Sequence, residues 1–447
     1  MHRFVALGFC FAVLAACEQP TSVDHDRASD TGQSAVAIAQ DVIDNPPASL
    51  TLLRRAAARS GQRGSTQALQ AVQQTLVDDP ALLAATLYVT TVERQALRNA
   101  EWFRPTVSTT TQALIGQDLS ASLFISQPVY DFGKRRAQVS SLLTQANRTR
   151  LNITELQQGL AQDMFLAALN AQLTRAQIDL NKRRISAFQA ALNRANTLLA
   201  LDIVGSSDAR LAQVRLDQAK KDLRTAEIGL RQSTALWARL AGTSTPPRLA
   251  LADDILGRFG LNSLSRSQDL ANQHSLDLKI GRADLALRQS DVIQADLATL
   301  PTVNAVSSTR LAPSGGDRWG VGLSVDYTLY SRSQRDELAS TQDRVNAQQA
   351  RIQAIARDLT FNVQSIWQNM QDSRELAQLE RSGIATLRAR ADDLQEQLNT
   401  GLIPFDRVVD ARSEQFDTEL AALANQFAAD RAALELLLVS GVLTAGG

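Results

Sequence analysis

From Asp131 to Leu201 the chain runs for about seventy residues without a proline and with only two glycines, Gly133 and Gly159. At 1.5 Å per residue a continuous helix of that length reaches roughly 105 Å, far more than a compact domain needs. Its apolar positions recur in alternating steps of four and three at Leu142, Ala146, Thr149, Ile153, Leu156 and Leu160. After a weaker patch the spacing resumes at Ile185, Phe188, Leu192, Ala195 and Leu199. Val345, Ile352, Ile355, Leu359, Val363, Ile366 and Met370 repeat the pattern, as do Phe416, Leu420, Leu423 and Phe427. Such a seam predicts coiled-coil packing of long helices. Periodicity alone fits a soluble bundle equally well, and it is length that argues against one.

Only two stretches switch to a strand pattern. In Phe103 to Gln127, Pro105 breaks the helix, "TVSTTT" is β-branched, Gly116 marks a turn and "LSASLFIS" alternates. In Thr302 to Tyr330, Pro301 plays the same part, and Pro313-Ser314-Gly315-Gly316-Asp317 reads as the turn between two strands. Each stretch reads as one hairpin. The two are related by an internal repeat of about two hundred residues: Pro105 matches Pro301, Tyr130 matches Tyr330, Asp202 matches Gly401, Ala212 matches Ala411 and Gly242 matches Gly441. The expected organisation is a first repeat over 66–242, with hairpin 103–127 and long helices 131–203 and 207–241. A linker over 243–263 leads to a second repeat over 264–441, with hairpin 302–330 and long helices 331–400 and 404–441, and then a tail over 442–447. The fold class is mainly α with a small β part.

The first residues set the compartment. His2 and Arg3 precede an apolar run from Phe4 to Ala16, the length of a secretory signal and too short for a mature spanning helix. It ends in Leu14-Ala15-Ala16-Cys17, which resembles the bacterial lipobox, so residues 1–16 are expected to be removed and Cys17 to carry lipid. Residues 17–65, rich at first in Ser, Asp, Gln and Pro, read as a tether from that lipid to the fold.

Enzymatic chemistry has little to work with. Cys10 leaves with the signal, and the three histidines, His2, His25 and His274, lie far apart in the chain, so no disulfide, thiolate, metal cluster or His-based acid–base pair is expected. There is no nucleotide-binding glycine loop. Forty-six Lys and Arg balance 46 Asp and Glu, which leaves no basic footprint for nucleic acid. No cofactor is expected. Four strands cannot close a barrel alone, and open edges are not tolerated in hydrocarbon, so any membrane barrel must be shared among copies.

The region from about Thr66 to Gly441 resembles the TolC family of outer-membrane efflux and secretion channels. The residues that carry the likeness are Val77-Asp78-Asp79-Pro80-Ala81-Leu82, Phe103-Arg104-Pro105-Thr106-Val107, "SQPVYDFGKRRAQV" over 126–139 and "GLIPFDRVVDARSEQF" over 401–416. The resemblance implies a homotrimer with a trimeric α-barrel and a shared twelve-stranded transmembrane β-barrel in the outer membrane. It also implies a periplasmic adaptor (membrane fusion) protein and an inner-membrane RND or ABC pump as partners, with the channel itself a passive duct in contact with outer-membrane lipid. Family members carry acidic residues just after the helix-turn glycine, where a carboxylate ring repels anions and narrows the pore. Here Gly401 is followed by Asp406, Arg407 and Asp410. Asp410 matches the second family acid, Arg407 replaces the first, and Asp208 holds the equivalent place in the first repeat. These four are the expected periplasmic gate. Arg407 and Asp410, three apart on one helix, are also placed to pair with each other. Gly133, Gly205 and Gly401 are expected to serve the backbone at turns. Trp102, Trp319, Tyr327 and Tyr330 flank the strands, where a membrane interface favours them. The competing class is a lipid-anchored periplasmic coiled-coil scaffold or adaptor without a barrel, although adaptors usually add β-rich domains that this chain lacks. Cargo, whether drug, metal, metabolite or protein, is chosen by the partner pump and is not legible here.

Overall fold

The computed structural model describes residues 71, 72, 74–76, 79–101, 105–112, 120–249, 256, 260–312, 315–328 and 331–441. Cys17, the tether, Trp102, Phe103, Gly116, Tyr330 and the 442–447 tail lie outside the described residues. The fold is mainly α with one small antiparallel sheet. Its elements run α1 (Pro80–Ala100), β1 (Thr106–Gln112), β2 (Ser120–Tyr130), α2 (Lys134–Ala200), α3 (Ser206–Ala241), α4 (Leu264–His274), α5 (Leu276–Ala298), β3 (Thr302–Ala312), β4 (Gly315–Asp326), α6 (Arg332–Asn399) and α7 (Phe405–Val439).

Local chemistry sets the ends of these elements. Asp79 caps α1, its carboxylate accepting from the N–H groups of Ala81 (2.9 Å) and Leu82 (3.1 Å), while Pro80 occupies the first helical position, where a missing N–H costs nothing. α2 and α6, of 67 and 68 residues, each run about 100 Å without interruption. The step from β2 into α2 needs two consecutive left-handed residues, Phe132 (φ 53°) and Gly133 (φ 90°). The Asp131 carboxylate steadies that step by accepting the Gly133 and Arg135 N–H groups, both at 3.0 Å.

The sheet order is β1-β2-β3-β4, all antiparallel. The two hairpins expected from sequence are therefore one continuous sheet, joined where Leu123 lies opposite Thr309 and Ile125 opposite Ser307. Pro128 lies beyond the end of β1, so its missing donor breaks no bond on that side, and the β2–β3 register shifts next to it. Among the described residues β1 and β4 remain as unpaired edges.

α2 packs along α3 and α6 along α7, and α2 also lies against α7, so the two helical hairpins stand side by side. Buried Ala161, Ala167, Ala168, Ala171, Ala429 and Ala433 keep these helices close. Among the described residues four apolar clusters divide the length, the smallest joining α1 to α2 through Val89, Val92 and Ala146. Of the other three, one gathers Met164, Phe165, Leu169, Trp237 and Leu434. A second gathers Leu278, Val363, Met370, Leu436 and Leu437 under α4 and α5. The third gathers Phe188, Leu198, Leu216, Leu398, Phe405 and Val408 beside the two helix turns. Leu156, part of the expected seam, is exposed in the single chain, and so are Phe361, Leu376 and Leu379 on α6.

Candidate functional site

The turns α2–α3 and α6–α7 are built alike. In the first, the Ile203 N–H reaches back five residues to the Leu198 carbonyl at 2.9 Å. In the second, the Leu402 N–H reaches the Gln397 carbonyl at 3.0 Å. Each such closure needs one left-handed residue. Asp202 (φ 55°) and Gly401 (φ 74°), the two positions matched by the internal repeat, supply it. Gly242 and Gly441, likewise matched, sit at φ 67° and 65° where α3 and α7 end. Gly205 is extended (φ −80°) and starts α3, so in that turn the left-handed step belongs to Asp202. A Cβ at Gly401 would meet nothing within 4 Å, which makes the cost of a side chain there purely one of backbone conformation, about 1–2 kcal/mol. Gly401→Ala is accordingly expected to lower the thermal midpoint of the detergent-extracted protein, and Asp202→Gly to raise it. Equal midpoints for the two variants would contradict this account.

The two turns meet. Leu198, Val204, Leu398, Ile403 and Phe405 share one apolar cluster, and the Arg194 guanidinium donates to Asn399 Oδ1 at 3.2 Å. Around this plug the expected gate residues take separate roles. The Asp208 carboxylate accepts the Gly205 N–H at 3.1 Å, and the Asp208 N–H donates to the Gly205 carbonyl, so this acid caps α3. Asp406 accepts the Arg407 N–H at 2.9 Å. Asp410 pairs across the hairpins with Arg215 of α3 at 3.3 Å and not with Arg407. The exposed Arg407 side chain makes no ion pair among the described residues. The structure thus brings Asp410 and Arg215 together and leaves Arg407 exposed. Arg215 escaped the sequence reading, although it lies seven residues after Asp208 and so returns to the same helix face.

The second notable surface is the sheet. Residues directly opposite on antiparallel strands share a face. One face carries Val107, Leu123, Ile125, Val303, Ala305, Trp319, Val321, Leu323 and Val325, with Thr109, Gln127, Ser307 and Thr309 as polar exceptions, while the other carries Ser108, Ser122, Ser126, Asn304, Ser308, Ser324 and Asp326, with Phe124 and Val306 as apolar exceptions. The apolar face is uncovered on β4, where Trp319, Val321, Leu323 and Val325 are all more than 60% exposed. Trp319 and Tyr327 end this band, eight residues apart, or roughly 27 Å along an extended chain. Among the described residues no helix is long and apolar enough to cross a membrane, and no group of three or more His, Cys, Asp or Glu side chains is placed to hold a metal ion.

No protein-family model and no curated protein matches the chain. Solved structures do match. The outer-membrane channel OprN is 16% identical with a TM-score of 0.71, over 85% of this chain and 90% of that one. The outer membrane protein VceC of Vibrio cholerae is 13% identical with a TM-score of 0.70, over 84% and 96%. CusC, studied for the conformational changes that accompany its folding and transmembrane channel formation, is 15% identical with a TM-score of 0.70, over 84% and 92%. Over 84–85% of its length the chain has the fold of these outer-membrane channels, the fold that the TolC-family resemblance implies.

Proposed function

We propose that the chain is one protomer of a passive exit channel in the outer membrane, gated at the paired helix turns. One observation carries the reading: a sheet with an apolar band about 27 Å long, an aromatic residue at either end of it and, among the described residues, nothing covering it on β4 and two unpaired edges. In water such a surface is a liability, whereas in hydrocarbon it is a barrel wall, provided that copies pair β4 of one with β1 of the next. Three copies give the twelve strands implied by the family resemblance. The exposed apolar residues Phe361, Leu376 and Leu379 then face neighbouring copies. A lipid-anchored scaffold without a barrel has no use for the apolar band.

In this reading Cys17 carries the lipid, residues 17–65 tether it, and the helices cross the periplasm. Asp208, Asp406, Arg407 and Asp410 lie around the pore at the tip. Leu201, Ile203 and Leu402, all exposed on the two turns, offer an apolar crown to a helical adaptor. An inner-membrane pump supplies the energy, so the duct itself needs no catalytic group. The test is direct. Full-length protein extracted in detergent is expected to run as a trimer and to conduct ions in a planar bilayer. Arg407→Ala and Asp410→Ala are expected to change conductance or vancomycin uptake by about twofold, the scale of exposed charge effects. A compact monomer with no central opening overturns the proposal.

A further inference from the structure

Between the apolar plug at the turns and the apolar clusters higher up, the packed helices bury charge alongside hydrocarbon. On α2 the Arg184 side chain is only 5% exposed and donates to two carboxylates on two other helices, Asp222 of α3 and Asp417 of α7, both at 3.2 Å. Its guanidinium also lies 5.8 Å from the centre of the buried Phe188 ring, which in turn packs against Phe416. On α7 the Glu419 side chain is 8% exposed and accepts from two guanidiniums on two other helices, Arg183 of α2 at 3.1 Å and Arg388 of α6 at 3.2 Å. Gln415, itself buried, donates to the same carboxylate at 3.0 Å. Asn181 and Ser413 are also buried, on α2 and α7. One centre is a cation between two anions and the other an anion between two cations, so together they are neutral and link all four long helices.

Apolar side chains can slide past one another and repack, but a buried charge cannot leave its partners without being stranded in a medium that solvates it poorly. Polar groups buried in helical seams accordingly fix register. Each centre here is held from two directions, and Arg184–Asp417 and Arg183–Glu419 both cross the α2–α7 seam where the two hairpins meet. We propose that this double charge centre is a pin: it holds the hairpins in register and confines their separation to the wall between it and the turns. That length is roughly 24 Å, the sixteen residues from Arg184 to the end of α2 at 1.5 Å each. The inference rests on the channel reading for its purpose but not for its measurement.

The test is hydrogen exchange on the full-length protein in detergent, with channel conductance recorded alongside. In the wild type, amides around both turns exchange at least about tenfold faster than those of 176–186 and 413–421. Arg184→Gln and Glu419→Gln remove that contrast, with exchange in both segments rising about tenfold or more, and conductance becoming larger or unsteady. Arg390→Gln is the control, since it breaks the exposed Arg390–Glu414 pair at 2.9 Å, which joins α6 to α7 within one hairpin, and it is expected to change neither readout. Should Arg184→Gln fail to assemble, Asp417→Asn, which removes an exposed partner only, takes its place. Unchanged exchange in those two segments in the pin variants, or an equal rise in Arg390→Gln, overturns the pin. A wild type that never conducts sinks the channel reading while leaving the exchange comparison intact.

Discussion

Leu323→Arg is expected to abolish stable insertion in the outer membrane, while Ser324→Arg, one residue along the same strand, is tolerated. Leu323 is 72% exposed and lies midway between Trp319 and Tyr327, at the centre of the apolar band. An arginine on the lipid face of a barrel at the bilayer midplane costs about 2–4 kcal/mol per chain, or roughly thirtyfold to several hundredfold in the insertion equilibrium. In a trimer the cost recurs in every copy, which makes it comparable to the whole stability of many proteins. Ser324 points to the opposite face, beside Asn304 and within hydrogen-bonding distance of Asp326, where a charge meets polar groups and water. The measurement is the heat-resistant oligomer recovered from outer-membrane fractions. Equal loss from both substitutions contradicts the assignment of faces, and no loss from either contradicts the barrel.

Why some of this was readable in the sequence and some was not follows from the range of each interaction. The long helices announce themselves by local facts, the missing prolines and the apolar period, and the two turns by paired positions such as Asp202 and Gly401, which share a left-handed backbone. The union of the two hairpins left no such trace, because β2 and β3 pair across about 180 residues and their register is a property of both strands together. The charge centres were hidden for a different reason. A search for apolar periodicity finds only a weaker patch between Leu160 and Ile185, where small Ala167, Ala168 and Ala171 and buried Asn181 and Arg184 are interspersed with Met164, Phe165, Leu169 and Leu180. At the turns, the local rule that charges three apart on a helix pair with each other pointed to Arg407 and Asp410. The fold offered Asp410 the nearer Arg215 on a neighbouring helix, a partner 195 residues away in sequence. Short-range chemistry was legible, and partners supplied by the tertiary fold were not.

Which force keeps the turns together decides the other large effect. The charge pairs there, such as Arg215–Asp410 with side chains 37% and 59% exposed, are solvated and worth about 0.2–1 kcal/mol each. Phe405 is a different case: it opens α7, is fully buried, and sits in the plug with Leu198, Leu398, Ile403 and Val408. Truncating a buried phenylalanine to alanine costs about 3–5 kcal/mol, several times more than any one of those pairs. Phe405→Ala is therefore expected to open the tip far more than Asp410→Ala does. A loss of 3 kcal/mol from the closed state alone raises its open fraction by about a hundredfold, as long as that state remains the more populated one. Cells carrying the variant should take up vancomycin and lose resistance to it, with the amount of trimer on unheated gels unchanged, and Phe405→Leu should recover most of the barrier because it refills the cavity. If Asp410→Ala leaks as much as Phe405→Ala, charge and not apolar packing holds the tip closed, and the plug is only scaffolding for it.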